Sequence, residues 1–293
     1  MNRITSCLVS GAIFLGAAVS VAIAQESSTA TMPPPKVLVV QREFTKPGKS
    51  GNIHEKSESA FVQAFARAKW PTHYFAASAL TGKPRVLFLV GYDSFESWEK
   101  DNMATAKDKA LSASLDRAIT ADGDLLSDQD QTLLVYNDDQ SLNSNVDIAH
   151  MRYFEIALYR VRPGHRHDWE ELVKLVKSAY EKIPDMHWAE FDAMYGQEGG
   201  THVVFFPMKS LKEVDEGFAK DKQFADALGE DGMKKLQDLE SASVEFSQSN
   251  LFQFTPSMSY PRDEWVKADP DFWKPKPAAA MPMKHEEKPP AKP

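Results

Sequence analysis

"VRPGHRHDWEELVKLV" (residues 161–176) answers "TKPGKSGNIHEKSESA" (residues 45–60) at a constant offset of 116 residues, and this echo decides how the chain folds. Pro163-Gly164 falls on Pro47-Gly48, Trp169 on Ile53 and Val176 on Ala60. Held fixed, the same offset puts Phe191 on Phe75, Ala193 on Ala77, Val203 to Phe206 on Leu87 to Val90, and Ser210-Leu211 on Ser94-Phe95. With small changes of offset "DKQFADAL" (from 221) matches "DKALSASL" (from 108), and "LFQFTPSMS" (from 251) matches "LLVYNDDQS" (from 133). The chain is a duplication, and any motif has to be judged against its counterpart in the other copy.

Each copy runs through the same sequence of periods. A strand (Val37 to Phe44; Arg152 to Val161) enters the Pro-Gly turn, and a helix follows whose apolar residues Trp169, Leu172, Val173, Val176, Ala179, Tyr180 and Ile183 recur at helical spacing. Two strands come next (Thr72 to Leu80 and Arg85 to Tyr92; Trp188 to Tyr195 and Thr201 to Met208), the second pair joined by a turn over Gly196 to Gly200. A helical region, opened in the second copy by a capping box at Ser210 and Glu213, leads to a last strand near Leu133 to Tyr136 or Leu251 to Phe254. The order β-α-β-β-α-β is the ferredoxin-like arrangement. A single such sheet has helices on one face and a bare opposite face. The expected fold class is therefore α+β, with two tandem ferredoxin-like repeats packed sheet to sheet as an intrachain dimeric α/β barrel.

These residues also carry a resemblance. "VRPGHRHDWEELVKL" and "YDSFESWEK" resemble stretches of the dimeric α/β-barrel superfamily, which includes antibiotic-biosynthesis-monooxygenase and NIPSNAP-like families. The likeness spans both copies and implies a fold, while the activities in that superfamily range over monooxygenases, haem enzymes, isomerases and proteins without a known reaction. Haem-degrading relatives take an iron ligand from a histidine in the second helical region; Trp98 to Asn102 and Val214 to Phe218 contain none. No cofactor is expected. Cofactor-free members oxidise electron-rich aromatic substrates in cavities lined by Asn, Trp or Tyr, and Trp98 sits on the corresponding helix, although Val214 replaces it in the second copy.

The rest of the chain divides simply. Residues 1–24 read as a signal peptide, with Arg3, the apolar run Leu8 to Val21 and an Ala22-Ile23-Ala24 cleavage site, so export, to a periplasm, is expected. The single cysteine, Cys7, leaves with that leader, which removes thiol chemistry and disulfides. Residues 25–35 are a linker, 36–143 the first repeat, 144–150 a second linker and 151–260 the second repeat. An aromatic strap (261–273) and a Pro/Lys/Ala tail (274–293), expected to be disordered, end the chain. A formal charge of −8 without a basic stripe argues against nucleic acid, and beyond the leader no apolar run is long enough to span a bilayer. Phosphate loops, dinucleotide fingerprints and calcium-loop spacings are absent, and Asp122 to Asp124 read as an acidic turn.

Two candidate sites remain. His165 and His167, with Asp168 and Glu170, offer metal-ligand chemistry, but they match Lys49 and Gly51 of a turn built as well without histidine. They are read as solvated turn residues, and no metal is assigned.

Strand parity gives the better candidate. One face of the second hairpin carries Ala189, Phe191, Ala193, Tyr195, Val203 and Phe205, expected under the helices together with Phe154, Ile156 and Leu158. The other face carries Trp188, Glu190, Asp192, Met194, His202, Val204 and Phe206, joined by Tyr153, Glu155 and Tyr159, and is expected between the two sheets. Pairing Tyr195 with Thr201 makes Asp192 and His202 diagonal neighbours. The first copy has Thr72, Tyr74, Ala76, Ser78 and Val86 at these places, so only the second copy concentrates ionisable groups there.

Asp192, Glu190 and His202 are the candidate acid-base groups, and Trp188, Tyr153, Glu155, Tyr159 and Phe206 the candidate ligand-binding residues. The competing reading is a hydrated, salt-bridged seam. The expected function is binding of a small apolar or aromatic molecule. The alternatives are a cofactor-independent oxygenase or isomerase, and an envelope-assembly protein with an exposed patch at Trp265, Phe272 and Trp273. A further homodimer is left open.

Overall fold

A computed structural model describes residues 31–274. The leader and nearly all of the tail lie outside the described residues. The first half runs β1 (Val37–Thr45), α1 (Asn52–Ala68), β2 (Tyr74–Ala79), β3 (Arg85–Tyr92), α2 (Phe95–Lys107), α3 (Lys109–Gly123) and β4 (Leu126–Leu142). The second runs β5 (Tyr153–Val161), α4 (Arg166–Tyr180), β6 (Trp188–Tyr195), β7 (Thr201–Met208), α5 (Lys212–Ser243) and β8 (Val244–Phe254), followed by the short helices α6 (Asp263–Ala268) and α7 (Pro270–Trp273). The repeat is thus physical. Gly229, at φ +68°, divides α5 in two, as the first half's helical region is divided into α2 and α3.

The Pro-Gly turn is built alike in both halves. Lys49 N–H donates to Lys46 C=O, and His165 N–H donates to Arg162 C=O, each at 3.0 Å. Gly48 and Gly164 take φ of +76° and +87°, the conformation a turn with proline before glycine requires at its third residue. Capping differs between the halves. Glu213 accepts the backbone N–H of Ser210, half of the expected box, whereas the reciprocal box forms at Ser94 and Ser97.

Each half contributes four antiparallel strands, and the halves join at both edges. The closed order is β1-β3-β2-β8-β5-β7-β6-β4, with β2 on β8 (Ala77 opposite Phe254) and β4 on β6 (Leu134 opposite Ala193). Closure leaves no free sheet edge. The expected sheet-to-sheet packing is therefore present, in a form where hydrogen bonding also seals the seams.

The faces are the reverse of expectation. Phe154, Ile156, Ala189, Phe191, Val203 and Phe205 point into the barrel, where they meet Leu38, Leu89, Phe252 and Phe254. Phe75 of the first half lies 5.9 Å from Phe154 of the second, ring to ring, across the barrel interior. Trp188, Glu190, Asp192 and His202 face outward under the helices instead: the Trp169 ring of α4 lies over His202 at 4.8 Å, and Tyr180 meets Trp188 edge-on. The alternation was right and its direction was not. Eight strands converging on one axis exclude water, so the face free of ionisable groups is the one that fits there. The helix layer covers its side of the sheet only in part, and polar groups can be hydrated at its margins.

The segment after β8 closes one end of the barrel. Trp265 stacks edge-on against Phe75, and Trp273 is buried, donating its indole N–H to Ala149 C=O at 2.9 Å. Phe272 lies beneath the Arg152 guanidinium. The exposed patch that an assembly role would require at these three residues is absent.

Candidate functional site

A cavity of about 450 Å³ opens beneath this closure. Its wall is Phe75, Tyr136, Phe154, Phe191, Phe205 and Trp265, with Leu38, Leu89 and Ala189 between them. At the rim stand His73, Ser144, His187 and Arg262, together with the Met32 to Lys36 segment. Apolar walls with a few polar groups at the mouth are the usual make-up of a small-molecule site. His187 is fixed by a 2.7 Å hydrogen bond to Pro207 C=O, while the buried Nδ1 of His73 has no partner within the protein. Of the residues proposed from sequence as ligand-binding, Trp188 borders this cavity, with its ring packed on the outer side against Tyr180 and Phe206. Tyr153, Glu155, Tyr159 and Phe206 lie on the outer face of the strands, where Tyr159 packs on Trp169 and Phe206 on Trp188. The wall was missed because its residues had been assigned to the helix side. The available signal was the absence of ionisable side chains along that face.

Glu190, Asp192 and His202 do come together. The β6–β7 register places Asp192 directly opposite His202, two residues from the expected pairing; an even shift keeps every side chain on its face. His202 Nδ1 lies 3.0 Å from Glu190 Oε1 and 2.9 Å from Asp192 Oδ1. An irregular stretch of β4 completes the surroundings: Asn137 Nδ2 donates to Asp192 Oδ2, Ser141 Oγ accepts Glu190 N–H, and Gln140 accepts the indole N–H groups of Trp169 and Trp188.

Burial opposes charging His202, but the hydrogen bonds and charges of Asp192 and Glu190 prevail and raise its pKa to about 9. Glu190 is pushed up by burial, partly offset by His202. Asp192, 39% exposed, is held below the usual carboxylate range by the His202 hydrogen bond against a smaller opposing effect of burial. The group is an imidazolium between two carboxylates, anchoring α4 to the sheet through Trp169. None of the three lines the cavity, and no buried polar atom among them lacks a partner.

The charge state makes a pH dependence. A folded pKa of about 9 against an ordinary 6.5 means that the stability due to His202 is fully present below 6.5 and is lost as pH rises through about 9. The expected loss is on the order of 3 kcal/mol. Thermal melts across this range are expected to fall less steeply for His202→Gln than for the unmodified chain; equal slopes would contradict the charge assignment.

The turn histidines behave as the repeat suggested. His165 Nδ1 contacts Asp168 Oδ2 at 2.8 Å on the surface, and His167 is exposed. They do not converge with the cluster of Glu190, Asp192 and His202.

No family model and no curated protein matches the chain. Solved structures do. A provisionally assigned monooxygenase from Fusobacterium nucleatum aligns over 76% of this chain and 94% of its own, at 13% identity and a TM-score of 0.51. An anthrone oxidase-like protein aligns over 78% and 94% at 14% identity (TM-score 0.49), and a provisionally assigned monooxygenase from Lactobacillus acidophilus over 74% and 93% at 6% identity (TM-score 0.47). The first of these and the closed barrel of two ferredoxin-like halves define the class: the chain has a dimeric α/β-barrel fold with both halves in one polypeptide.

Proposed function

We propose that the chain is an exported protein that binds a small apolar or aromatic molecule in the barrel-end cavity. The observation that carries this reading is the aromatic wall of Phe75, Tyr136, Phe154, Phe191, Phe205 and Trp265 beneath a polar rim. Aromatic walls favour a flat ligand through offset and edge-on contacts, and Arg262, His73 and His187 at the mouth suit one with a single polar or anionic group. The likeness of the two sequence stretches to antibiotic-biosynthesis-monooxygenase and NIPSNAP-like families is consistent with such a ligand. Among the described residues no helix is long and apolar enough to cross a membrane.

Naphthol is a suitable probe. Calorimetric titration is expected to give saturable one-to-one uptake, weakened at least about tenfold, or about 1.4 kcal/mol, by Ala189→Phe, which puts a ring into the cavity. Absence of saturable uptake, or uptake unchanged in that variant, would remove the reading.

The second reading is a cofactor-independent oxidation or isomerisation using Glu190, Asp192 and His202. It is favoured by the partial exposure of Asp192 beside a charged imidazole, and it puts the substrate on the outer face of β6 and β7 rather than in the barrel. Turnover that survives Ala189→Phe and disappears in Asp192→Asn would select it.

A further inference from the structure

The first half holds a second ionisable cluster, on the outer face of its own sheet. Glu43 projects from β1, His54 and Glu58 from successive turns of α1, and Asp122 from the end of α3. All four are buried, none more than 4% exposed. Their arrangement was invisible as a motif. Asp122 reads from sequence as part of an acidic turn, but it belongs to α3, and the comparison of hairpin positions between the copies did not extend to β1, α1 or α3. The ligands come from three elements, and only the i, i+4 pair on α1 leaves a local trace.

Three carboxylates converge on one imidazole nitrogen. His54 Nε2 lies 3.1 Å from Glu43 Oε2, 3.5 Å from Asp122 Oδ1 and 3.7 Å from Glu58 Oε1. The four potential donor atoms all fall within 4.8 Å of one another. Two of these oxygens, Glu58 Oε1 and Asp122 Oδ1, are buried without any hydrogen-bond partner while pointing at the common centre. The Tyr74 hydroxyl is likewise buried and unpartnered, and burial with the charges of Glu58 and Glu43 opposes its ionisation. Buried orphan acceptors are costly and rare, and here they are turned toward each other.

We infer that Glu43, His54, Glu58 and Asp122 form a binding site for one divalent first-row cation. Metal bonds of about 2.1 Å in a tetrahedron put neighbouring ligands about 3.4 Å apart, close to the 3.1–3.7 Å that separate His54 Nε2 from the three carboxylate oxygens. A set of one imidazole and three carboxylates suits Zn²⁺, Mn²⁺ or Fe²⁺; it lacks the sulfur Cu⁺ prefers and includes a nitrogen that Ca²⁺ and Mg²⁺ sites rarely use. With no exposed ligand, the site is closed, as structural metal sites are. The cation would tie α1 and α3 to β1.

The test is titration of the full chain, stripped with a chelator, with Zn²⁺, Mn²⁺ and Ca²⁺ separately, read by calorimetry and thermal melting. Zn²⁺ or Mn²⁺ is expected to bind at one equivalent and, at about 100-fold excess over Kd, to raise Tm by about 5–10 °C, with Ca²⁺ much weaker. Glu58→Gln and Asp122→Asn each remove charge from an over-acidic cluster at constant shape, so the variants should fold. Each should weaken uptake at least about tenfold, while Asp192→Asn leaves it unchanged. Failure of the unmodified chain to take up either ion stoichiometrically, uptake that persists in the Glu58 and Asp122 variants, or loss in Asp192→Asn would overturn the assignment. Naphthol binding is independent of all three results.

Discussion

Replacing His202 by alanine is expected to destabilise the protein by about 3–5 kcal/mol near neutral pH, the usual result of removing one partner from a buried ion pair. Glu190 is 1% exposed and has His202 as its charged neighbour; without it, the carboxylate is left facing Asp192. Trp169 would also lose the ring it lies over. Because burial already raises the Glu190 pKa, the widowed carboxyl can take up a proton on acidification, which limits the cost of leaving it without a cation. Chemical denaturation of His202→Ala at two pH values measures both effects. Adding Glu190→Gln should recover part of the loss, and His165→Ala should change stability by no more than about 0.5 kcal/mol. A fully stable His202→Ala chain near neutral pH would rule out a buried charge pair.

The second large effect is expected at the seam between the halves. Phe254 is 2% exposed, sits opposite Ala77 where β8 meets β2, and has ring neighbours Phe154 at 4.8 Å and Phe75 at 5.0 Å. Phe254→Ala should cost about 3–5 kcal/mol through lost burial and the void left in a barrel whose backbone is closed and cannot collapse inward. Its position gives a further expectation. Since Phe254 links first-half and second-half aromatics, both halves should unfold together, with a lower midpoint in urea and an unchanged slope. A broken, two-step transition would show instead that the halves are independently stable. Phe218→Ser, at a side chain 70% exposed, is the surface comparison and should be near neutral.

The sequence carried the fold because a duplication is recorded twice. Pro47-Gly48 and Pro163-Gly164 each demand the same turn, and the strand and helix periods on either side repeat in order, so local signals and the internal comparison agree. Strand parity was equally legible, since alternation is a property of the backbone. It brought Trp188, Glu190, Asp192 and His202 onto one face before any coordinates.

What the sequence could not determine is which face turns inward. The only local hint is that one face of β6 and β7 carries no ionisable side chain; the choice itself depends on closing eight strands around one axis, a constraint shared among strands up to 177 residues apart, as Ala77 and Phe254 show. The same holds for the two sites. The cavity wall draws on both halves and on Trp265 beyond them, and the buried set of Glu43, His54, Glu58 and Asp122 draws on one strand and two helices. Period and turn chemistry act over a few residues and are written locally; enclosure, and the orphaned oxygens that point to a cation, exist only once distant segments have packed.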